Sequence, residues 1–183
     1  MEFTTVVNVQ NFLGKDSLTA QESTTIEMLI SMVGGIINNY CGWNILSKDY
    51  DRVVDGSGST SMDLGAFPIN TVASCIVGDL DYTAEVAIDA ENGEIYFPTS
   101  TSLSFGSATK SVVVEYNAGF TEVPPELNYA ACVLTTINYN RIVQKNLGVI
   151  KEQFTEVSAE YGANDIPELV QNVLDRYKKI GIH

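Results

Sequence analysis

Histidine is all but missing from this chain: His183, the last residue, is the only one. Chain ends fray, so a Ser-His-Asp or Cys-His catalytic set is excluded, along with most zinc ligand sets. Cations are scarce too. Ten Lys and Arg stand against 23 Asp and Glu, for a net charge of −13 and a pI near 4.2. A protein that grips a nucleic-acid backbone neutralises phosphates with Lys and Arg, so tight DNA binding is disfavoured. An acidic surface past which DNA slides is not. Cys41, Cys75 and Cys132 are odd in number and far apart, which excludes a disulfide framework and predicts buried free thiols in a reducing compartment. The opening MEFTTVVNVQNFLG has no basic stretch and no sustained apolar run, so no secretion signal is expected. No apolar run approaches the roughly 20 residues that span a bilayer. The expectation is a soluble protein made in the cytoplasm, without membrane contact.

What is present is ample for a core. The 183 residues fit one domain, or one domain with an insertion, and 45% of them are hydrophobic. With only 18% charged residues, disorder by composition is not expected. Residues 8–13 read as a short helix ended by Gly14. Thr19 and Glu22 have capping-box spacing ahead of an apolar stripe at Ile26, Leu29, Ile30, Val33, Ile36, Ile37, Tyr40 and Cys41. That stripe predicts a long helix closed by Gly42. Gly34-Gly35 in its middle predicts a closely packed neighbour, for which the alanines of a later helix are the natural complement.

From Trp43 the period changes. Lys48–Val54, Met62–Leu64, Val72–Val77, Glu85–Ile88, Glu94–Phe97 and Ser111–Tyr116 read as short strands separated by turn residues. Asn92-Gly93 predicts a type I′ hairpin between Val86–Asp89 and Glu94–Phe97. Asp55–Ser59 (DGSGS) reads as a hairpin turn and not a phosphate cradle, because no Gly-Lys-Ser/Thr follows it. The polar stretch Pro98–Lys110 reads as an exposed, mobile loop.

In EYNAGFTEVPPEL (115–127), Gly119 allows a turn after the last strand, and the prolines open a helix at Pro125 or Glu126. Leu127, Ala130, Ala131, Leu134, Ile137 and Ile142 form its stripe. Phe154–Tyr161 alternates as a strand, and Gly162–Pro167 reads as a turn. A final helix is expected from about Pro167 to Ile180, with Leu169, Val170, Val173, Leu174 and Tyr177 inward. The resulting class is α+β, a core of three to four helices interrupted by an antiparallel β insertion. As one domain over 1–183, the helical parts would be about 5–46, 120–147 and 167–181. The insertion would be about 47–118, with an extended or strand segment at 148–166.

No catalytic, cofactor-binding or metal-binding residues emerge. The pairs Asp79/Asp81 and Asp89/Glu91 have the chemistry for metal or acid–base work, but in an acidic chain such pairs are more often solvated turns. DGSGSTSMDLGA (55–66) lacks the repeated ligands and closing Glu of a calcium loop. The tyrosines at 40, 116, 129, 139, 161 and 177 mostly fall on expected core faces, beside too few cations for a nucleic-acid stacking platform, so core packing or an interface is the better reading. Arg176, Lys178 and Lys179 have two readings: a helix end complementing its own dipole, which is the commoner case, or a basic edge docking onto an acidic partner.

Several segments then occur in a telling order: NYCGW (39–43), DGSGSTSMDLGAFPINTVASCIVGD (55–79), IDAENGEIYFP (88–98), VVVEYNAGFTEVPPELNYAA (112–131) and NR (140–141). The succession, over about residues 5–180, resembles the head–tail connector or head-completion adaptor proteins of long-tailed bacteriophages. Residues 144–166 match least, and the aromatic residue before Asn140-Arg141 is displaced from the pattern. The resemblance implies a structural virion protein at the head–tail interface, made in the bacterial host and without enzymatic activity. It implies a dodecameric ring under the portal protein, with a monomeric isolated form left open. The ring would extend the DNA channel without binding DNA specifically, and it would meet a downstream neck or tail-completion protein. Arg176, Lys178 and Lys179 would then be portal-docking residues. Two other classes stay open: a small acidic metal-dependent enzyme, and a β-domain module binding peptide or glycan.

Overall fold

A computed structural model describes residues 1–143, 151–154, 157–160 and 166–178. The chain divides into two compact units. Residues 1–42 and 123–183 make one, and residues 43–122 the other.

The first unit is helical. Helix α1 (Val6–Phe12) is capped by Thr5, whose hydroxyl accepts the Asn8 N–H, and the chain turns away through Gly14 at φ +65°. Helix α2 (Ala20–Cys41) begins with the expected capping box at Thr19 and Glu22 and ends at Gly42 in the left-handed region, φ +81°. Helix α3 (Pro125–Val143) starts at its proline, and the Pro124 carbonyl accepts from Leu127 and Asn128. Val9, Ile26, Leu29, Ile30, Cys132 and Tyr139 form a shared core among the three.

Around that core Glu22 does more than cap. Its carboxylate accepts from the Thr19 amide at 2.8 Å, the Tyr139 hydroxyl at 2.8 Å and the Lys15 ammonium. The Lys15 bond first, then the Thr19 amide, hold its pKa down to about 2. A carboxyl depressed on folding contributes stability that is complete above the unfolded-state value and is lost as pH falls toward the folded one. The stability gap between the native protein and Glu22→Gln is therefore expected to be full at neutral pH and to close between pH about 5 and about 2. Urea melts across that range measure it; a gap constant with pH would refute this role for the carboxylate.

Three details of this unit differ from the sequence reading. A Cβ at Gly34 would touch the Phe3 ring and the Glu2 carboxylate at 3.7 Å, and one at Gly35 would meet nothing. The close neighbour of the glycine pair is thus the N-terminal segment, not the alanines of α3. That segment is fastened: Phe3 and Thr4 are buried, and the Thr4 hydroxyl lies 3.1 Å from the Cys132 sulfur. Ile142 is exposed, because the inward stripe of α3 ends at Tyr139. Two strands, β8 (Lys151–Phe154) and β9 (Val157–Glu160), pair as an antiparallel hairpin where one strand was expected at Phe154–Tyr161. Tyr161, the turn from Gly162 and the end of the third helical segment at 144–147 lie outside the described residues.

The second unit holds two antiparallel sheets. In one, β1 (Lys48–Val54), β7 (Val112–Ala118), β3 (Ile69–Val77) and β4 (Leu80–Asp81) lie in the order β1-β7-β3-β4. In the other, the order is β2 (Ser61–Asp63), β6 (Glu94–Tyr96), β5 (Ala87–Asp89). Alternation along β7 buries Val112, Val114, Tyr116 and Ala118, which is the period-two pattern of a strand with one face on a core. β1 pairs with β7 in unbroken register from Lys48↔Ala118 to Val54↔Val112. On β7's other side, β3 carries irregularities between Ile69 and Thr71 and between Val72 and Ser74. The Leu64 carbonyl ties the sheets together by accepting from Tyr116 at 2.6 Å and Arg52 at 3.0 Å.

Three turn assignments change. β5 and β6 do pair, but Asp89 faces Glu94 across a four-residue loop in which only Gly93 has positive φ. Asn92 spends its side chain on Asp89 at 2.8 Å instead of entering the left-handed region a type I′ turn requires. DGSGS is not a hairpin turn, since β1 pairs with β7 and β2 with β6; it connects the two sheets. Loop 98–110 is not loose. Phe105 is fully buried against Phe97, with centroids 4.5 Å apart, and its backbone N–H donates to the Ser59 carbonyl at 3.0 Å.

Candidate docking site

The basic residues singled out in the sequence fall at the end of the first unit's last helix. Helix α4 (Glu168–Leu174) is shorter than expected. The chain tightens into a 3-10 turn over Asp175–Tyr177, and Lys178 is extended. In a two-turn helix Val170 and Leu174, four apart, point inward together, whereas Leu169 is 56% exposed. The inward placement expected of Leu169 is therefore corrected.

The tight turn coincides with two hydrogen bonds to other helices. Tyr40 on α2 donates to Asp175 at 2.8 Å, and Tyr177 donates to Glu126 on α3 at 2.5 Å. The Asp175 bond, then burial, raises the Tyr40 pKa; burial, then Glu126, raises that of Tyr177. Glu126 moves the other way, held below the usual carboxylate range by the Tyr177 donor. Lys178 joins this network, with its ammonium 3.5 Å from Asp175 and 4.3 Å from the Tyr40 ring centroid. Arg176 is exposed on the same turn. The structure thus brings Arg176 and Lys178 to one end of α4, with Lys178 held by its own unit. Lys179 lies outside the described residues. Sequence alone gave no sign of the network, since its partners are separated by 51 and 135 positions.

One carboxylate of each pair considered for chemistry, and two of the DGSGSTSMDLGA stretch, cap turns. Asp81 accepts the Thr83 N–H at 2.9 Å and hydroxyl at 2.6 Å, which lowers its pKa. Asp89 holds Asn92, Asp55 accepts the Lys110 N–H at 2.7 Å, and Asp63 accepts the Gly65 N–H at 2.6 Å. Burial raises all three thiols, pushing Cys41 and Cys75 up to about 11, so they stay protonated near neutrality. Among the described residues, no group of three or more His, Cys, Asp or Glu side chains is arranged to hold a metal ion, and no helix is long and apolar enough to cross a membrane.

Two concavities are formed among the described residues of single units. One, about 320 Å³, lies on the four-stranded sheet, with Asp49, Asp51 and Glu115 beside Thr71, Ala73 and Asn117. The other, about 370 Å³, lies between α1 and α3, lined by Asn8, Asn11, Phe12, Pro125, Asn128 and Tyr129 with Cys132 at its base. In the first, the Asn117 carboxamide is engaged, donating to the Asp49 carboxylate at 2.7 Å.

Comparison with known proteins fits such a molecule. No curated protein sequence matches the chain. Among solved structures, it is similar to a chain in the neck of an empty gene transfer agent particle computed with C6 symmetry. That similarity has a TM-score of 0.62 at 14% identity and covers 97% of this chain and 90% of the other. At that identity it establishes a shared α+β fold. The head completion protein family matches residues 2–180, nearly the whole chain. By that match the chain belongs to the head completion protein family and is a structural protein of the virion's head–tail junction.

Proposed function

We propose that the protein forms a dodecameric ring beneath the portal, extending the DNA channel and presenting a platform to the next neck or tail-completion protein. The carrying observation is the family match across residues 2–180. The particle neck with a similar fold was computed with sixfold symmetry, with which a twelve-membered ring is compatible. The subunit works by contact with other virion proteins and catalyses no reaction. The acid excess suits a channel, because a subunit of net charge −13 offers DNA few phosphate partners and lets it pass.

Arg176, Lys178 and Lys179 are the proposed portal-docking residues. Because Lys178 is held by Asp175 and Tyr40, Arg176 is the freer cation of the pair within the described residues. Removing residues 167–183 would also strip Val170 and Leu174 from the core, so Arg176→Glu is the cleaner test. Electron microscopy of the purified protein with and without portal rings tests the whole reading. Rings stacked on the portal are expected, with Arg176→Glu weakening that stacking about tenfold. Monomers alone under both conditions would refute the ring. Undiminished stacking by Arg176→Glu would remove Arg176 from the docking site.

A further inference from the structure

Helix α2 carries an outward stripe that stays exposed among the described residues. Thr24, Met28, Ser31, Met32, Gly35 and Asn39 are predominantly exposed and recur at helical spacing over about four turns. None is charged, in a chain of net charge −13. Of the two carboxylates of α2, Glu22 is engaged with Lys15, and the exposed Glu27 borders the stripe beside Thr24 and Ser31, so the uncharged ground runs along Met28, Met32, Gly35 and Asn39. Met28 is 71% exposed and Met32 44%. At the centre, Gly35 weakens the helix without serving any close contact in the subunit, since a Cβ there would meet nothing within 4 Å. A mid-helix glycine with open space above it is suited to the approach of something from outside.

The α1–α3 groove is the opposite shape with the same lack of charge. Its lips are Phe12 and Tyr129, 46% and 43% exposed, in edge-to-face contact at 5.7 Å. Asn8, Asn11 and Asn128 supply carboxamides, and no carboxylate, ammonium or guanidinium group is among its lining residues. One surface is a ridge with two flexible thioethers, and the other is a hollow with two aromatic edges. Thioether sulfur against an aromatic edge is a favourable contact, and methionine adapts to irregular hollows.

We infer that the α2 stripe of one copy seats in the α1–α3 groove of the next, Met28 and Met32 against Phe12 and Tyr129. This deepens the ring reading and rests on it. The occupant is a second copy because strongly acidic subunits repel except across uncharged ground, and these two surfaces provide such ground. They are different and complementary, so the contact is head-to-tail, the kind that closes into a ring.

Full-length Met28→Cys and Tyr129→Cys proteins, each carrying Cys132→Ser to remove the groove's own free thiol, assembled with portal rings and mildly oxidised, test the pairing. Disulfide-linked dimers are expected in the equimolar mixture and in neither variant alone. Linking of Met28→Cys with itself would make the contact face-to-face and overturn the inference. So would an unlinked mixture under conditions where the native protein forms rings. Gly35→Glu supplies an independent arm: its helix content and thermal midpoint should hold, while the concentration needed for rings rises at least about tenfold. A folded Gly35→Glu that assembles like the native protein overturns the inference and leaves the ring reading standing. A native protein that stays monomeric throughout overturns both.

Discussion

Replacing Gly119 with alanine is expected to destabilise the β unit by about 3 kcal/mol or more. Two independent constraints meet there. The backbone sits at φ +107°, where side-chain-bearing residues are strained, and a Cβ would fall 2.7 Å from the Leu46 carbonyl carbon and oxygen and 2.8 Å from the Ile45 oxygen. All three obstacles are backbone, so no side-chain rotation relieves them. The approach is close because the strands' end is stitched on both sides. Phe120 donates to Ile45 at 2.8 Å, Ser47 donates to Phe120 at 2.9 Å, and Gly119 itself donates to Pro68 at 2.8 Å. Moving Gly119 to admit a methyl group would break this set of hydrogen bonds. Urea denaturation followed by Trp43 measures the loss, since the single tryptophan belongs to the same unit and is stacked on Phe67 at 4.3 Å. Gly35→Ala is the matching control. It is an exposed helical position with open space, and the same substitution should raise stability by about 0.5–1 kcal/mol. An unchanged midpoint for Gly119→Ala would refute the clash.

The contrast between these glycines marks what the sequence could and could not convey. Gly119 was readable as a turn, because it follows a β-branched run and precedes Pro124-Pro125. Its close approach to Leu46 was not, since that contact joins positions 73 apart and no local pattern encodes it. The capping box at Thr19 and Glu22 was legible because both partners lie within one turn. The other two partners of Glu22, Lys15 and Tyr139, were not, since Lys15 lies outside the helix and Tyr139 arrives from another one. Strand existence followed from alternation and turn residues, and β1 came out at Lys48–Val54 as read. Pairing did not follow. DGSGS has the composition of a hairpin turn, yet β7 lies between β1 and β3, so composition and topology part company there. The basic end of α4 was legible as charge, but its geometry depends on Tyr40 and Glu126, both remote in sequence.

Function was legible in a different way. The carboxylate pairs and cysteines weighed for chemistry have structural places: Asp81 and Asp89, one of each pair, hold turn groups, and the thiols are buried. What a connector needs instead is surface, and periodicity reads inward faces better than outward ones. The exposed side of α2 looked unremarkable beside its apolar stripe. Only with α1, α3 and the N-terminal segment in place does it become clear that Gly34 has a neighbour and Gly35 has none.

Phe105→Ala carries the other large expected effect, about 3–5 kcal/mol of lost stability. Composition places Phe105 in a run of Ser, Thr and Gly, where a lone aromatic is easily read as part of an exposed loop. Its ring is instead fully buried, 4.5 Å from that of Phe97, which in turn meets the edge of Tyr82 at 5.6 Å. The backbone around it is equally committed. Phe105 donates to Ser59 at 3.0 Å, Gly56 donates to Ala108 at 3.0 Å, and Gly58 donates to Gly106. A Cβ at Gly56 would lie only 2.5 Å from the Phe105 carbonyl oxygen, so the two segments are in full backbone contact. Truncating the ring therefore leaves a cavity beside Phe97 and unfastens the DGSGS connection as well as the loop. Two measurements separate these effects. Urea melts report the stability, and limited proteolysis reports opening at 98–110, which should become rapid in Phe105→Ala. Ser102→Ala, an exposed change in the same loop, should move neither by more than about 0.5 kcal/mol. If Phe105→Ala cost less than about 1 kcal/mol, the loop would be only lightly held and able to rearrange on the portal. If the expected loss is found, the loop is already ordered in the isolated subunit. Assembly then bears no ordering entropy there, and uncharged helical surfaces such as the α2 stripe become the better place to look for what changes when subunits meet.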